Sequence, residues 1–319
     1  MKRKGSDRMN NFILGINVIF PLFFVLFTGL FLRKIKIIDE RFISQSTNLI
    51  FYVTMPASLI MDVKNSDLSG INLGYIIYLL LGVMLMFGGT WIVARFFIED
   101  NKKLSAFVHC AYRSNFLYVG VPILKAVMPN YQMAPVLAAM IFGVALFNII
   151  GTMLLTYYSE SDIIISELVV KVLRNPVIVA MAVGLLLKFI NFPIPQTLGK
   201  GIKVLGGLNT PLALIMIGGS LNFHTRKNDL LLVGISAAIK NIIGAALLVP
   251  IAYKLGFNNS EIVVAYILFG TPCAINCFVM GKKLGSDELM TSQIITASYA
   301  LSLFTFAGGI AILKNFGIV

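Results

Sequence analysis

Charge is what this 319-residue chain has least of: Asp, Glu, Lys and Arg make up 13% of it, against 58% hydrophobic residues. That balance excludes an ordinary soluble domain. Acids are the scarcer sign, 14 against 26 bases, and none stands near the centre of an apolar run. Asp62, six residues after Pro56, comes closest. Cation exchange through buried carboxylates therefore lacks its ligands, which leaves an anionic or neutral substrate. Histidine occurs twice, His109 and His224, in different halves, and cysteine three times, Cys110, Cys273 and Cys277, each inside an apolar run. Cys273 and Cys277 read as two thiols without nearby partners. The expectation is no disulfide framework, no metal site, no cofactor, no catalytic constellation and hence no enzyme.

Long apolar stretches are abundant, and the mean hydropathy is +0.87. A hydrocarbon core of about 30 Å needs about 20 apolar residues per helix. Ten runs approach that length, near 11–32, 43–62, 73–97, 104–127, 133–157, 174–191, 198–222, 229–253, 259–281 and 289–313. The expected class is an all-α integral membrane protein, one membrane domain over 1–319. The basic tail MKRKGSDRMNN precedes a first run too long for a signal peptide and without a small-residue cleavage site, so that run reads as a retained span. Met9 offers a second start that would remove most of the tail. The net charge of +12 reads as loop residues facing anionic lipid, with no nucleic-acid partner. Lys and Arg favour the loops after the odd-numbered runs once the tail is set aside, which would put both termini outside; with the tail included, orientation is not decided.

MPASLIM at 55–61 and TPLALIM at 210–216 share Pro-x-x-Leu-Ile-Met at an offset of 155 residues. Pro21 and Pro176 keep that offset, and Pro122 and Pro272 stand 150 apart. The chain thus divides into two five-span halves, about 11–157 and 174–313, with the polar linker YSESDIIISE within 158–173. Five is odd, so the second half enters the membrane from the opposite side, an inverted repeat.

Spans four and nine carry helix breakers. Gly120 and Pro122 would open the fourth, and Gly270, Thr271 and Pro272 the ninth, freeing backbone groups that lipid cannot satisfy. Two broken helices that cross would bring two half-helix N-termini, each partly positive, to one cavity suited to an anion. Asn115 and Asn276 stand beside the breaks, and an amide can donate to an anion without adding charge. Arg113, about 14 Å into its span by helical rise, is within partial reach of the headgroups. Lys240, about 16 Å deep, could hold the anion, stabilise the crossing or carry a proton. Asp62 could relay a proton.

NFLYVGVPILKA at 115–126 resembles the Asn-x-x-x-x-Gly-x-Pro-Leu-Leu-Lys-Ala stretch of the auxin efflux carrier family, which includes bacterial malate or malonate permeases. FYVTMPASLI, NTPLALIMIGGSL and TPCAINCFVMGKKLGSDE resemble three further islands of that family in the same order. The resemblance implies ten transmembrane helices in two inverted five-helix repeats, with spans four and nine broken and crossing, as in bile-acid symporters and sodium/proton antiporters. It implies that Asn115 hydrogen-bonds a substrate carboxylate; the breaks themselves put Gly120, Pro122, Gly270, Thr271, Pro272 and Asn276 around it, and depth and position make Lys240, Arg113 and Asp62 the candidates for coupling or balancing charge. There are departures. Span five has Ala138 and Gly143 where plant carriers place polar and aromatic groups, so an indole substrate is not supported, and Ala245 stands at the family's usual span-eight proline. The function implied is secondary active transport of small organic anions, carboxylates above all, by alternating access in a bacterial plasma membrane, with H+ as the coupling ion and a homodimer compatible with it. The alternative is a cation-coupled symporter of a different amphipathic or neutral substrate.

Overall fold

The computed structural model describes residues 2–65, 70, 72–159, 174, 176–221, 223 and 226–319. Beyond residue 159 the expected linker lies outside them, as does His224. The described residues are helical, without a β-strand. In chain order, α1 is Lys2–Lys34 and α2 runs through Glu40–Leu49, a π-helical turn Ile50–Thr54, and Met55–Lys64. Then follow α3 (Leu73–Ala94), α4 (Asn101–Tyr112), α5 (Phe116–Val127), α6 (Met133–Tyr157), α7 (Pro176–Phe189) and α8 (Gln196–Ser220). The last four are α9 (Lys227–Lys254), α10 (Asn259–Gly270), α11 (Asn276–Lys283) and α12 (Glu288–Asn315).

Length and composition let α3, α6, α8, α9 and α12 cross a membrane, and α5, α7 and α10 are shorter apolar helices. Starts are set by side chains that take up free N–H groups. Asp39, Asn72, Asp100 and Asp287 cap α2, α3, α4 and α12, and Asn258 with Glu261 forms a capping box on α10. Large apolar groups cover the outside: Phe20, Phe24, Phe27 and Phe31, one face of α1, are all about half exposed. Such a surface calls for lipid rather than water.

Two helix pairs pack through glycine. A methyl on Gly29 of α1 would collide with the Ile215 carbonyl of α8, and one on Gly218 with the Leu26 carbonyl. On α7, a Cβ at Gly184 would stand 3.1 Å from the Ile60 carbonyl of α2. Small residues here let backbones approach, the usual basis of helix association in lipid. The contacts are reciprocal: Gly29 meets Ile215 and Gly184 meets Ile60, and each exchange is a step of 155 residues. Between the two pairs, Thr54 Oγ1 donates to Asn209 Oδ1 at 3.4 Å, a contact that also joins residues 155 apart.

At one end of the bundle a polar cluster ties three helix starts. Lys103 Nζ and Arg226 Nη1 reach Asp229 at 2.7 and 3.0 Å, and Arg226 also reaches Asp287 at 2.8 Å. Burial pushes the Asp287 carboxyl up, but the Met290 N–H and the Arg226 guanidinium outweigh it and hold the group below the usual carboxylate range.

Candidate functional site

Both expected interruptions exist, but one is displaced. In the ninth span the helix stops at Gly270 and resumes at Asn276, with Thr271 and Pro272 in the gap. In the fourth it stops at Tyr112 and resumes at Phe116, so the open residues are Arg113, Ser114 and Asn115, not Gly120 and Pro122. The reason lies in how those two residues are used. Val121 N–H reaches back five residues to Phe116 O, a wider π turn just ahead of Pro122, which begins the following α-helical segment and loses little by lacking an N–H. Gly120 is small because α10 lies against it: a Cβ there would stand 2.7 Å from Ile267 Cγ2. Pro122 and Pro272 therefore do not occupy equivalent places, and their 150-residue spacing is no repeat register.

The two gaps meet and satisfy each other. Ser114 and Cys273 form an antiparallel bridge, Asn115 N–H donates to Pro272 O at 2.9 Å, and Ala274 N–H donates to Arg113 O at 3.2 Å. The Ser114 and Thr271 hydroxyls hydrogen-bond, and Cys273 N–H donates to Ser298 Oγ at 2.9 Å. The backbone groups that the breaks release thus find partners inside protein, the condition for irregular backbone at membrane depth.

Asn115 lies in this crossing, buried, its amide donating to Tyr299 Oη at 2.6 Å. The two deep cations stand at the ends of half-helices. Arg113 follows the last residue of α4 and contacts Asn148 Oδ1 at 2.5 Å, Met280 Sδ at 2.9 Å and His109 Nε2 at 3.1 Å. Lys240, 1% exposed and on a π turn of α9, donates to Phe269 O at 2.9 Å, next to the end of α10. Each thus places its basic group at the C-terminal end of a half-helix, where the dipole is negative and favours a positive charge. Asn276 begins α11 but is exposed.

The thiols differ from expectation. Cys273 and Cys277 have a neighbour in Cys110, and all three sulfurs lie within 4.8 Å of one another, buried. Sequence spacing could not reveal this, since Cys110 is on α4 and meets the others only through the crossing.

A cavity of about 630 Å³ opens elsewhere, between α2 and α8 on one side and α5, the α5–α6 loop and α6 on the other. Its polar lining is Ser58, Asp62, Asn65, Lys125, Tyr131, Lys203, Asn209 and Thr210, with Leu117, Val121 and methionines as apolar wall. Lys125 Nζ pairs with Asp62 Oδ2 at 2.8 Å, and Ser58 donates to the same oxygen at 3.2 Å. Tyr131, outside the helices, has its phenol pushed up to about 12 by burial and by the Asp62 charge, so it stays a neutral donor. Of the expected site residues Asp62 lines this cavity; Asn115, Gly270, Thr271, Pro272, Arg113 and Lys240 gather at the crossing. Sequence reasoning missed Lys125 and Lys203. The first stands in the quoted NFLYVGVPILKA, three residues after Pro122, and its pairing to Asp62 was the missing information.

Comparison with known proteins agrees with this architecture. An "uncharacterized transporter" from Methanothermobacter thermautotrophicus is 21% identical over 281 residues, 86% of this chain and 90% of the relative. The family described as "Membrane transport protein" is matched twice, over residues 14–170 and 163–309, one stretch for each half. The chain belongs to this family, that of the auxin efflux carriers, and is a membrane transport protein rather than an enzyme.

Proposed function

We propose that the chain is a secondary active transporter of small organic anions, carboxylates first, that works by alternating access. The observation that carries this reading is the cavity: its volume suits a small molecule, and two lysines face one acid across it. Lys203 is exposed and Lys125 is tied to Asp62, so a carboxylate entering can take Lys203 directly and Lys125 by displacing Asp62. Asn115 lies buried in the crossing, two residues before the cavity-lining Leu117, and its amide would exchange Tyr299 for the substrate only when the crossing opens to the cavity.

The moving parts follow from the packing. We assign α1, α2, α7 and α8 to one body and α3 to α6 and α9 to α12 to the other, held by the crossing, with the cavity between and the packing of α1 on α12 as the surface that slides. The inverted repeat is supported by the reciprocal contacts of Gly29 with Ile215 and Gly184 with Ile60, by the self-pairing of Thr54 with Asn209, and by the double family match. Protonation of Asp62 would release Lys125, which makes H+ the proposed coupling ion; Lys125, Lys203 and Tyr131 face it across the same cavity. A bacterial plasma membrane is the proposed location.

Asp62 in the cavity also supports a second reading, cation-coupled symport of a neutral or amphipathic substrate. The two separate in proteoliposomes given a panel of radiolabelled mono- and dicarboxylates under imposed pH, voltage and sodium gradients. Saturable carboxylate uptake driven by the pH gradient is expected. Sodium-dependent uptake confined to neutral compounds would sink the anion assignment.

A further inference from the structure

The thiol cluster plays no part in the cavity, yet it has the makings of a site. Cys110 comes from the last turn of α4, Cys273 from the second break and Cys277 from the first turn of α11. Each is 0% exposed, and the three sulfurs lie within 4.8 Å of one another. Cys273 and Cys277 donate their S–H to the carbonyls of Ala274 and His109 at 3.7 Å each, weak bonds that a better partner would replace. A metal bound by three thiolates at about 2.3 Å needs sulfurs about 4.0 Å apart, a contraction of less than about one ångström.

Charge points the same way. Arg113 and Lys240 are buried basic residues whose hydrogen-bond partners, among the described residues, include no carboxylate: an amide, an imidazole, a thioether and a backbone carbonyl. Arg113 holds the bridge beside Cys273 through its own carbonyl, and Lys240 lies within electrostatic range of Cys273 and Cys277. Negative charge on the thiols would form beside the Lys240 amine.

We propose that Cys110, Cys273 and Cys277 bind one soft monovalent d10 cation, of the Cu(I) class, in trigonal thiolate coordination. Three S–H bonds break, three metal–sulfur bonds form, three protons leave and no electron is transferred. The product carries a net charge of minus two, which the neighbouring Lys240 amine partly offsets. Zinc would seek a fourth ligand, and the His109 ring, which adjoins Cys277, is already engaged at Nε2 by Arg113. Thiolate donors select soft ions. The ion would join α4, the second break and α11, and so pin the crossing of the two broken helices.

The test uses the purified full chain in detergent, reduced, stripped of metal and titrated without oxygen, with Cu(I) against a chromophoric competitor and with Ag(I) as a redox-silent probe. Expected are one ion retained per chain, three protons released per ion, a sulfur-only coordination shell at about 2.3 Å by X-ray absorption, and a higher Tm. Cys110→Ser, Cys273→Ser and Cys277→Ser should each weaken retention by more than the roughly 10–100-fold that loss of an outer-shell partner costs. Metal-free Tm values show that the variants fold, and Cys→Ala replacements serve wherever a buried hydroxyl does not. Retention unchanged in these variants, fewer than three protons per ion, or nitrogen or oxygen neighbours would overturn the proposal.

Discussion

The crossing and the cavity are built from similar residues and behave oppositely. Each has a pair of basic side chains: Arg113 and Lys240 at the crossing, Lys125 and Lys203 in the cavity. At the crossing the cations are buried, turned to helix ends and neutral acceptors, and closed off from the cavity. In the cavity one lysine faces open space and the other an exchangeable carboxylate. Depth in the membrane therefore does not identify a substrate-binding charge. What identifies it is whether the charge borders a space that a ligand can fill. On the proposed function the crossing acts as a joint and the cavity as the receptor.

The variant that most severely tests this division is Asn115→Ala, because Asn115 belongs to the crossing by its bonds while the proposed function gives its amide to the substrate. Uptake of carboxylate should be abolished while expression and folding persist; undiminished uptake would remove Asn115 from the mechanism. Tyr299→Phe is the next step down. It leaves the Asn115 amide without its 2.6 Å acceptor, and an orphaned buried donor should lower stability by about 1–3 kcal/mol, read as a lower Tm. An unchanged Tm would mean that the joint does not depend on that bond.

Asp62→Asn acts on the receptor alone. With Lys125 released, uptake should lose most of its pH dependence, and because the ion pair is partly exposed the change in stability should be no more than about 0.2–1 kcal/mol. A pH profile identical to wild type would take Asp62 out of coupling. The smallest effect is expected far from both regions. Asp287→Asn keeps the cap of α12 but loses the charge that pairs with Arg226. Since the native carboxyl titrates below its unfolded value, its contribution is present above about pH 4 and fades as pH falls through the native pKa. The Tm difference between wild type and variant should therefore shrink on acidification, and a difference that grows would contradict the pairing.

Much of the fold was legible because lipid imposes it. Apolar runs of sufficient length gave the five long helices nearly to their ends; the run at 133–157, for example, is α6. MPASLIM and TPLALIM, 155 residues apart, follow directly on Thr54 and Asn209, and these two residues touch. The break in span nine was found from Pro272. The break in span four was placed seven residues late because a proline near the start of a helical segment is tolerated, while Arg113 to Asn115 carry no intrinsic breaker. They open because residues 272–274 supply the hydrogen bonds, a tertiary cause invisible to local propensity. The same limit hid the Asp62–Lys125 pair and the three converging thiols.

The most direct test of the division is carboxylate affinity in two lysine variants measured side by side. Lys203→Ala should raise the KM for uptake by roughly tenfold or more, as expected for the loss of a charged hydrogen bond to the ligand, and leave the Tm in place. Lys240→Met should leave the KM at the wild-type value and act on the maximal rate. If instead Lys240→Met raises the KM and Lys203→Ala does not, the anion binds at the crossing and the cavity is only its approach.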